Sequence, residues 1–142
     1  MKNVLAVFFL LVEVAIILLF VRHYASKDRE ERELIQLLGH WDYSTRSYAI
    51  EKLVELRSRN AIPYIIKLLD YDADYIRDKS AIALALGELD AKESIPKITE
   101  LLKQETMEIK YTTSFCADPL FSYQAALIML GVSDEEIKNI IE

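Results

Sequence analysis

Three stretches of this 142-residue chain repeat one pattern of apolar and polar residues. Residues 34–46 align without a gap with residues 65–77 and with residues 98–110. The two steps are nearly equal, and a fixed period of roughly 32 residues indicates a solenoid, in which each unit buries its apolar face only against its neighbours. Solenoids usually bind rather than catalyse, so the repeat predicts a binding protein and no enzyme.

The segments around these repeats carry signals for paired helices and none for strands. Apolar residues recur at helical spacing over residues 44–56. Pro63 and Pro96 each fall in the first turn of a predicted helix, where a missing N–H costs nothing. Ser133 and Glu136 form a predicted capping box for the last helix. We therefore predict an all-α fold, a solenoid of about three helical hairpins.

The N-terminal segment is apolar enough to enter a membrane. Residues 4–21 contain a single ionisable residue, Glu13, and as a helix they would extend about 27 Å, just enough for a hydrocarbon core. A cleaved signal peptide is the alternative. It is disfavoured because Lys2 alone supplies positive charge before the apolar stretch, and no A-x-A site follows it. We predict an uncleaved transmembrane helix that contacts lipid through residues 3–22.

No linker separates this segment from the repeats. Since no Gly or Pro occurs between Lys2 and Leu38, we expect one long helix, ended by Gly39. The chain then divides into an anchor of residues 1–24 and a repeat domain of residues 25–142. After the apolar stretch, the sequence carries four cations close to its end: Arg22, Lys27, Arg29 and Arg32. This excess over Lys2 predicts a cytoplasmic C-terminal domain.

The charge of the repeat domain restricts its partners. Residues 23–142 hold 15 Lys and Arg against 22 Asp and Glu, because the first 22 residues contain only Lys2, Arg22 and Glu13. A net charge of −7 repels phosphate backbones, so nucleic acid is not an expected partner. The single Cys116 excludes an intramolecular disulfide framework and fits a reducing compartment.

Several spaced residues of the central unit form a recognisable pattern. They are Tyr75-Ile-Arg77, Leu84-Ala-Leu86-Gly87, Ser94-Ile-Pro96 and Leu101-Leu102. Arg46, Leu53 and Ala61-Ile62-Pro63 match this pattern in the preceding unit. Over residues 33–142 the chain thus resembles the HEAT-like repeat, in the short bacterial form also found in phycobilisome lyase subunits. The resemblance implies that the arginine at positions 46 and 77 bonds to the acidic turn of a neighbouring unit, with Lys110 a weaker equivalent.

The third unit departs from this pattern. Matching Gly131 to Gly87 makes the last step longer than the earlier ones, so about eleven extra residues are expected within residues 111–123. Asp118-Pro119 should break a helix there. Insertions in solenoids emerge as loops on one face, often the binding face. The alternative is that the aromatic residues of this segment cap the open end of the core.

Two arrangements resemble chemical sites but lack residues or geometry that such sites require. Residues 70–74 resemble the start of a calcium loop, but Tyr75 and Ala81 replace the required Gly and Glu. Asp74 is instead the predicted N-cap of the next helix. His40, Asp42 and Ser44 alternate in a short turn, which cannot usually bring a triad onto one substrate atom. We expect no catalytic residues, metal or cofactor.

The repeat register places one set of polar residues on the second helix of each hairpin, which lines the concave face in the resembled family. Aligned triplets there are Glu33/Tyr64/Lys97, Gln36/Lys67/Glu100 and His40/Tyr71/Gln104. Their spacing puts them on one side of each helix. Apart from Glu33, we predict that these residues bind a protein partner. An ordinary solvated face is the alternative.

Glu13 is the remaining candidate contact. An ionisable group near the bilayer centre costs about 2.5 kcal/mol or more and normally faces a partner, although a lone neutral Glu13 is the alternative. Together these features predict a membrane-anchored adaptor, scaffold or accessory subunit that holds a protein partner, itself a membrane protein or complex. The alternative, by analogy with the resembled family, is a bilin-lyase-like or chromophore-handling protein.

Overall fold

The computed structural model describes residues 2–70, 76–111 and 118–142, and the side chains of residues 9–70, 79–107 and 120–142. All regular structure in these ranges is helical, which confirms the predicted all-α fold. The α-helices are α1 Lys2–Leu37, α2 Tyr43–Glu55, α3 Ile62–Leu68, α4 Ile76–Glu88, α5 Ile95–Tyr111, α6 Asp118–Met129 and α7 Asp134–Ile141. Short 3-10 turns, Arg59–Ala61 and Lys92–Ser94, lead into α3 and α5.

The chain divides into two compact units, Met1–Glu33 and Leu34–Glu142. The first unit is helical within the described residues. The predicted continuous helix is confirmed, because α1 covers Lys2–Leu37 without a break. Its stretch from Phe9 is long and apolar enough to cross a membrane and is not buried within the protein. A signal sequence near an N-terminus meets the same criteria of length and composition.

The second unit is a solenoid of three helical hairpins, α2–α3, α4–α5 and α6–α7, preceded by the last turn of α1. Its core contains equivalent residues from successive units. Along the second helices, Leu34, Ile65 and Ile98 are buried, as are Leu38, Leu69 and Leu102 one turn later. The two predicted steps of the repeat therefore hold for the residues that face the core.

The first helices of the hairpins contribute a matching set of core residues. Leu53, Leu86 and Leu127 are fully buried at equivalent positions. One turn earlier stand Ala49, Ile82 and Tyr123, so the side chain grows larger towards the C-terminal unit. Desolvation by burial raises the pKa of Tyr123 to about 12, and the nearby charge of Glu105 adds to this effect. The Tyr123 hydroxyl thus remains protonated in the physiological range.

Each hairpin turns through one residue with a left-handed backbone. Arg57, Asp90 and Gly131 have φ values of 51°, 53° and 90°. After each of them, a backbone N–H donates to a carbonyl in the last turn of the preceding helix: Ser58 to Leu53, Ala91 to Leu86 and Val132 to Leu127, all at 3.0 Å. These bonds are the signature of a Schellman motif, which ends a helix and satisfies its last carbonyls.

These turns correct the alignment of the third unit. Gly131 is equivalent to Asp90 and not to Gly87, because Gly87 lies inside α4. Measured against the step from Arg57 to Asp90, the step from Asp90 to Gly131 gains about eight residues rather than eleven. Gly87 has a different purpose: a Cβ there would lie 3.3 Å from the Cα of Ala126, so its absence lets α4 and α6 approach closely.

The extra residues are also distributed differently from the prediction. α5 continues to Tyr111, whereas the equivalent helix α3 ends at Leu68. The third copy of the sequence repeat, residues 98–110, is therefore one uninterrupted helix without a turn. Lys110 consequently cannot be equivalent to Arg46, which stands near the start of α2. α6 begins at Asp118, as the Asp-Pro pair indicates. Residues 112–117, including Cys116, lie outside the described residues.

The end of α1 differs from expectation as well. Gly39 follows the helix, but its φ is not positive, so it does not act as a left-handed cap. The turn is defined instead by the start of α2, where Asp42 is the N-cap and its carboxylate accepts from the Thr45 N–H at 2.9 Å. The predicted capping box at Ser133 and Glu136 is confirmed. The predicted N-cap Asp74 lies outside the described residues.

Candidate partner-binding groove

A groove of about 470 Å³ opens on the first two repeats of the solenoid. We call it the turn-side groove, because the turn after α1 forms one side of it; its other residues come from the end of α1, from α3, and from the N-terminal parts of α2 and α4. Its lining residues are Ile35, Gln36, Leu38, Gly39, His40, Trp41, Arg46, Tyr64, Lys67, Leu68, Lys79 and Ile82. Four of the predicted binding residues, Gln36, His40, Tyr64 and Lys67, thus line one surface.

The turn-side groove has an apolar floor and a polar rim. Leu38 and Ile82 are buried in the core beneath it, and Ile35 and Leu68 are packed against that core. On the rim, Tyr64 exposes 54% of its surface. An apolar floor with an exposed aromatic beside it is the arrangement that anchors a partner's side chain, since it combines area with a hydrogen-bonding group.

Trp41 is a groove residue that the sequence reasoning missed. It exposes 86% of its surface, although tryptophan is usually among the more buried residues. Its ring lies against His40, with centroids 5.6 Å apart. The alignment paired Trp41 with acidic residues of the later units, which hid its character. Its position in the sequence could have indicated exposure, because Trp41 follows a repeat helix and turns usually lie on the surface.

The backbone that carries His40 and Trp41 is held by its own side chains. Arg46 donates from one guanidinium nitrogen to the carbonyls of both residues, at 2.9 Å each. The Asp42 N–H donates to Nδ1 of His40 at 3.1 Å. The Thr45 hydroxyl donates to the Asp42 carboxylate at 2.8 Å, and this bond is the main reason that the pKa of Asp42 lies below its usual value. The turn therefore presents Trp41 in a defined position.

The solenoid register changes the partner of Arg46. Buried Leu53 of α2 corresponds to buried Leu86 of α4, 33 residues later, so the equivalent of Arg46 is Lys79. The gap-free alignment with Arg77 used a step of 31 residues, which does not match this register. Arg46 and Lys79 both line the turn-side groove. The side chain of Arg77, and any bond from it to an acidic turn, lies outside the described residues.

Three other predicted binding residues, Lys97, Glu100 and Gln104, lie on α5 and do not line this groove. Lys97 donates to Asp70 at 2.8 Å and to Glu100 at 3.2 Å, so it links α5 to the end of the preceding repeat. The bond to Asp70, followed by that to Glu100, raises the pKa of Lys97. Gln104 is exposed on α5. Tyr71 lies outside the described residues. The described members of the predicted stripe thus fall into two sets, one that lines the groove and one on α5.

A second groove of about 520 Å³ provides a comparison. It lies between α2 and α4, and Ile50, Val54 and Ala85 give it an apolar surface. Three glutamates line it, at positions 51, 55 and 88, with Arg46 as the sole cation among its described residues. The turn-side groove has the opposite character: three cations and no described carboxylate line it. The two grooves therefore favour ligands of different charge.

The described residues give no support to the chemical sites considered above. Nδ1 of His40 accepts a hydrogen bond from the backbone N–H of Asp42, not from its side chain. The Asp42 carboxylate accepts from Thr45, so it does not orient His40 as the acid of a triad would. Asp70 is engaged by Lys97. Among the residues that the structure describes, no group of three or more His, Cys, Asp or Glu could hold a metal ion. What the described residues form is a pair of grooves on the surface of the solenoid.

Comparison with known proteins gives the family of this solenoid. No curated protein and no solved structure shows significant similarity to the chain. The model of one family does match it: HEAT repeats, over residues 31–112. The matched region covers the last turns of α1 and the two hairpins that follow, which is more than half of the chain. HEAT repeats are typically non-catalytic and serve as scaffolds for protein interaction. The chain therefore belongs to the HEAT repeat family.

Proposed function

We propose that this protein is a membrane-anchored adaptor, an accessory subunit that binds a protein partner through the turn-side groove. The observation that carries the proposal is the convergence of Gln36, His40, Tyr64 and Lys67, from two repeats, on a groove that also exposes Trp41. Exposed Trp and Tyr beside an apolar floor are the residue types that dominate binding energy at protein interfaces. Lys97, Glu100 and Gln104 then form a neighbouring surface, with Lys97 and Glu100 ordered by their ion pair.

Membrane anchoring is the second part of the proposal. The helix that begins the chain exposes large apolar side chains from Phe9 to Val21, and its apolar window is not covered by other parts of the protein. A core helix of a soluble domain would be buried, whereas this stretch is exposed, and burial in lipid would remove its apolar surface from water. We propose the anchor as residues 1–24 and the repeat domain as residues 25–142.

Glu13 adds a contact inside the membrane. It lies in the exposed apolar stretch of α1, where a carboxyl group in hydrocarbon is costly without a partner. We therefore assign the partner to a membrane protein or membrane complex, which meets both Glu13 and the groove. The exposed ring of Tyr24 stacks on Phe20 at the end of the apolar stretch, where aromatic residues favour the headgroup region.

The experiment that tests partner binding uses two tyrosines of equal exposure. A photoreactive phenylalanine analogue replaces Tyr64, which is 54% exposed in the groove, or Tyr48, which is 53% exposed on α2 outside it. Irradiation of intact membranes should link the Tyr64 protein to one discrete partner and leave the Tyr48 protein uncoupled. Equal yields at both positions, or none at either, would refute binding through the groove.

Orientation is tested separately. The excess of cations after the apolar stretch favours a cytoplasmic repeat domain. Protease added to intact cells should leave residues 25–142 uncut, and should digest them after the cells are opened. Digestion in intact cells would place the domain on the other side. No feature of the described residues favours the bilin-handling alternative, which a visible absorbance band in the purified protein would revive.

A further inference from the structure

We propose that the turn-side groove is built for an acidic peptide segment, one that carries carboxylates beside an apolar side chain. This inference names the class of partner and therefore rests on the proposed function. It follows from the charge of the groove, the exposure of its aromatic residues and the way its turn is held in place. The occupant is an exposed segment of a partner protein.

Charge gives the first argument. The chain as a whole has 23 Asp and Glu against 17 Lys and Arg, so a cationic surface on it is an exception. Arg46, Lys67 and Lys79 line the turn-side groove, and no carboxylate does so among the described residues. The neighbouring groove between α2 and α4 carries three glutamates. An acidic segment is attracted to the turn-side groove and repelled by the groove between α2 and α4, so charge selects between the two grooves as well as adding affinity.

The state of the two lysines strengthens this argument. Three lysines of the described residues have ion pairs: Lys52 with Glu55, Lys97 with both Asp70 and Glu100, and Lys138 with Glu142. Lys67 and Lys79 form no ion pair with any described residue. No described carboxylate balances their charge, and a carboxylate of a ligand would gain charge-assisted hydrogen bonds from them.

Aromatic exposure gives the second argument. Trp41 is 86% exposed at one side of the groove and Tyr64 is 54% exposed on its rim. The apolar floor formed by Leu38 and Ile82 carries no charge, so it suits a leucine or aromatic side chain of the ligand. Because Arg46 holds the carbonyls of the turn, Trp41 needs little further ordering when a ligand binds. An all-polar acidic tail would leave this surface unused.

The test uses the full chain in a non-ionic detergent. Trp41 is the single tryptophan of the protein, so its fluorescence reports on this groove alone. The probe is a capped peptide of repeated Glu-Leu-Asp triplets, and its control is the matched peptide of Gln-Leu-Asn triplets. We expect the acidic peptide to shift Trp41 emission to shorter wavelength, to bind saturably by calorimetry, and to lose affinity as salt is added. The amide peptide should bind at least tenfold more weakly.

Charge reversal locates the site. Lys67→Glu with Lys79→Glu should weaken binding of the acidic peptide more than tenfold. The matched control is Lys92→Glu with Lys103→Glu, which makes the same change of charge at two exposed lysines outside the groove and should leave binding within twofold. Circular dichroism checks that both proteins keep their helical signal. Should the first variant unfold, Lys67→Gln with Lys79→Gln replaces it, with the same expected direction.

Three outcomes overturn the inference. Equal binding of both peptides makes the groove an apolar site without charge preference. Equal loss in both charge-reversed variants makes the attraction non-specific. Concentration-dependent self-association, abolished by the Lys67 and Lys79 changes, makes a second copy of this chain the occupant. In each case Tyr64 crosslinking to a partner in membranes would still support the adaptor function, whereas peptide binding without such crosslinking would support the groove chemistry and refute the adaptor function.

Discussion

The Nζ atom of Lys97 lies 2.8 Å from a carboxylate oxygen of Asp70, and this ion pair joins α5 to the residue that follows α3 and Leu69 in the preceding repeat. Repeats of a solenoid are stabilised by contacts with their neighbours alone. Lys97 also reaches Glu100 on its own helix at 3.2 Å. The Lys97 ammonium group thus connects two successive repeats, and the groups that form the ion pair remain partly exposed to water.

This pair predicts a small and pH-dependent stability. Lys97→Gln should lower the free energy of unfolding by about 0.5–1 kcal/mol, because partly exposed ion pairs contribute little. Hydrogen bonds from Asp70 and Glu100 raise the pKa of Lys97. A raised pKa in the folded state means that the contribution is complete below the ordinary value of 10.5 and disappears as the pH rises through the folded value.

Denaturant unfolding at neutral and strongly alkaline pH measures this effect. The difference between wild type and Lys97→Gln should shrink in alkali. Lys103→Gln removes an exposed lysine from the same helix and serves as the control, with no expected change. A difference that persists undiminished above the lysine pKa would show that Lys97 acts through packing of its methylene groups.

At the left-handed turns, introducing a glycine should stabilise the protein and removing one should destabilise it. Arg57 has a Cβ in a conformation that costs L-residues about 1 kcal/mol or more, so Arg57→Gly should stabilise the protein by up to about 1 kcal/mol. Gly131→Ala should destabilise it by a similar amount. No atom lies within 4 Å of the added Cβ of residue 131, so the cost is purely conformational.

Thermal unfolding followed by circular dichroism measures both variants. Asp90→Gly is a useful third variant, since it also removes the exposed pair with Arg59 at 3.5 Å and should gain slightly less than Arg57→Gly. Stabilisation by Gly131→Ala would contradict the left-handed assignment of that turn.

Close approach of α4 and α6 predicts a steric effect at Gly87. Its added Cβ would meet the Cα of Ala126 and the side chain of Met129 at 3.3 Å. Gly87→Val should therefore destabilise the protein by about 1–3 kcal/mol, since backbone cannot give way as a flexible side chain can. Gly39→Ala is the control: its added Cβ has ordinary contact at 3.6 Å. Equal melting temperatures for the two variants would exclude a tight helix contact at Gly87.

Substitution of Glu13 should affect membrane insertion and partner binding in opposite directions. Glu13→Leu should increase membrane insertion, because it removes the cost of a carboxyl group in hydrocarbon, and should weaken co-purification with the membrane partner. Glu13→Gln keeps hydrogen-bonding capacity and should retain part of the association. Quantitative pull-down from detergent extracts measures both. Undiminished association of Glu13→Leu would make this residue a tolerated exception in the anchor.

The sequence by itself determined the helical elements of this protein and the equivalence of its repeats. Helical periodicity, Pro63 and Pro96 at helix starts, and the Ser133 capping box are local signals, and the corresponding helices are present. The period also aligned Leu34 with Ile65 and Ile98, and the structure buries all three. Such features follow from neighbouring residues along the chain, so they can be inferred without knowing how helices pack.

Only the tertiary structure decided which residues share a surface. Arg46 and Lys79 both line the turn-side groove, although the gap-free alignment had paired Arg46 with Arg77. Lys97, placed by the same alignment with Tyr64, is instead drawn into an ion pair with Asp70. The exposure of Trp41 depends on how its turn folds around Arg46. Contacts between side chains that are distant in sequence depend on how the repeats pack, so local sequence signals could not predict them.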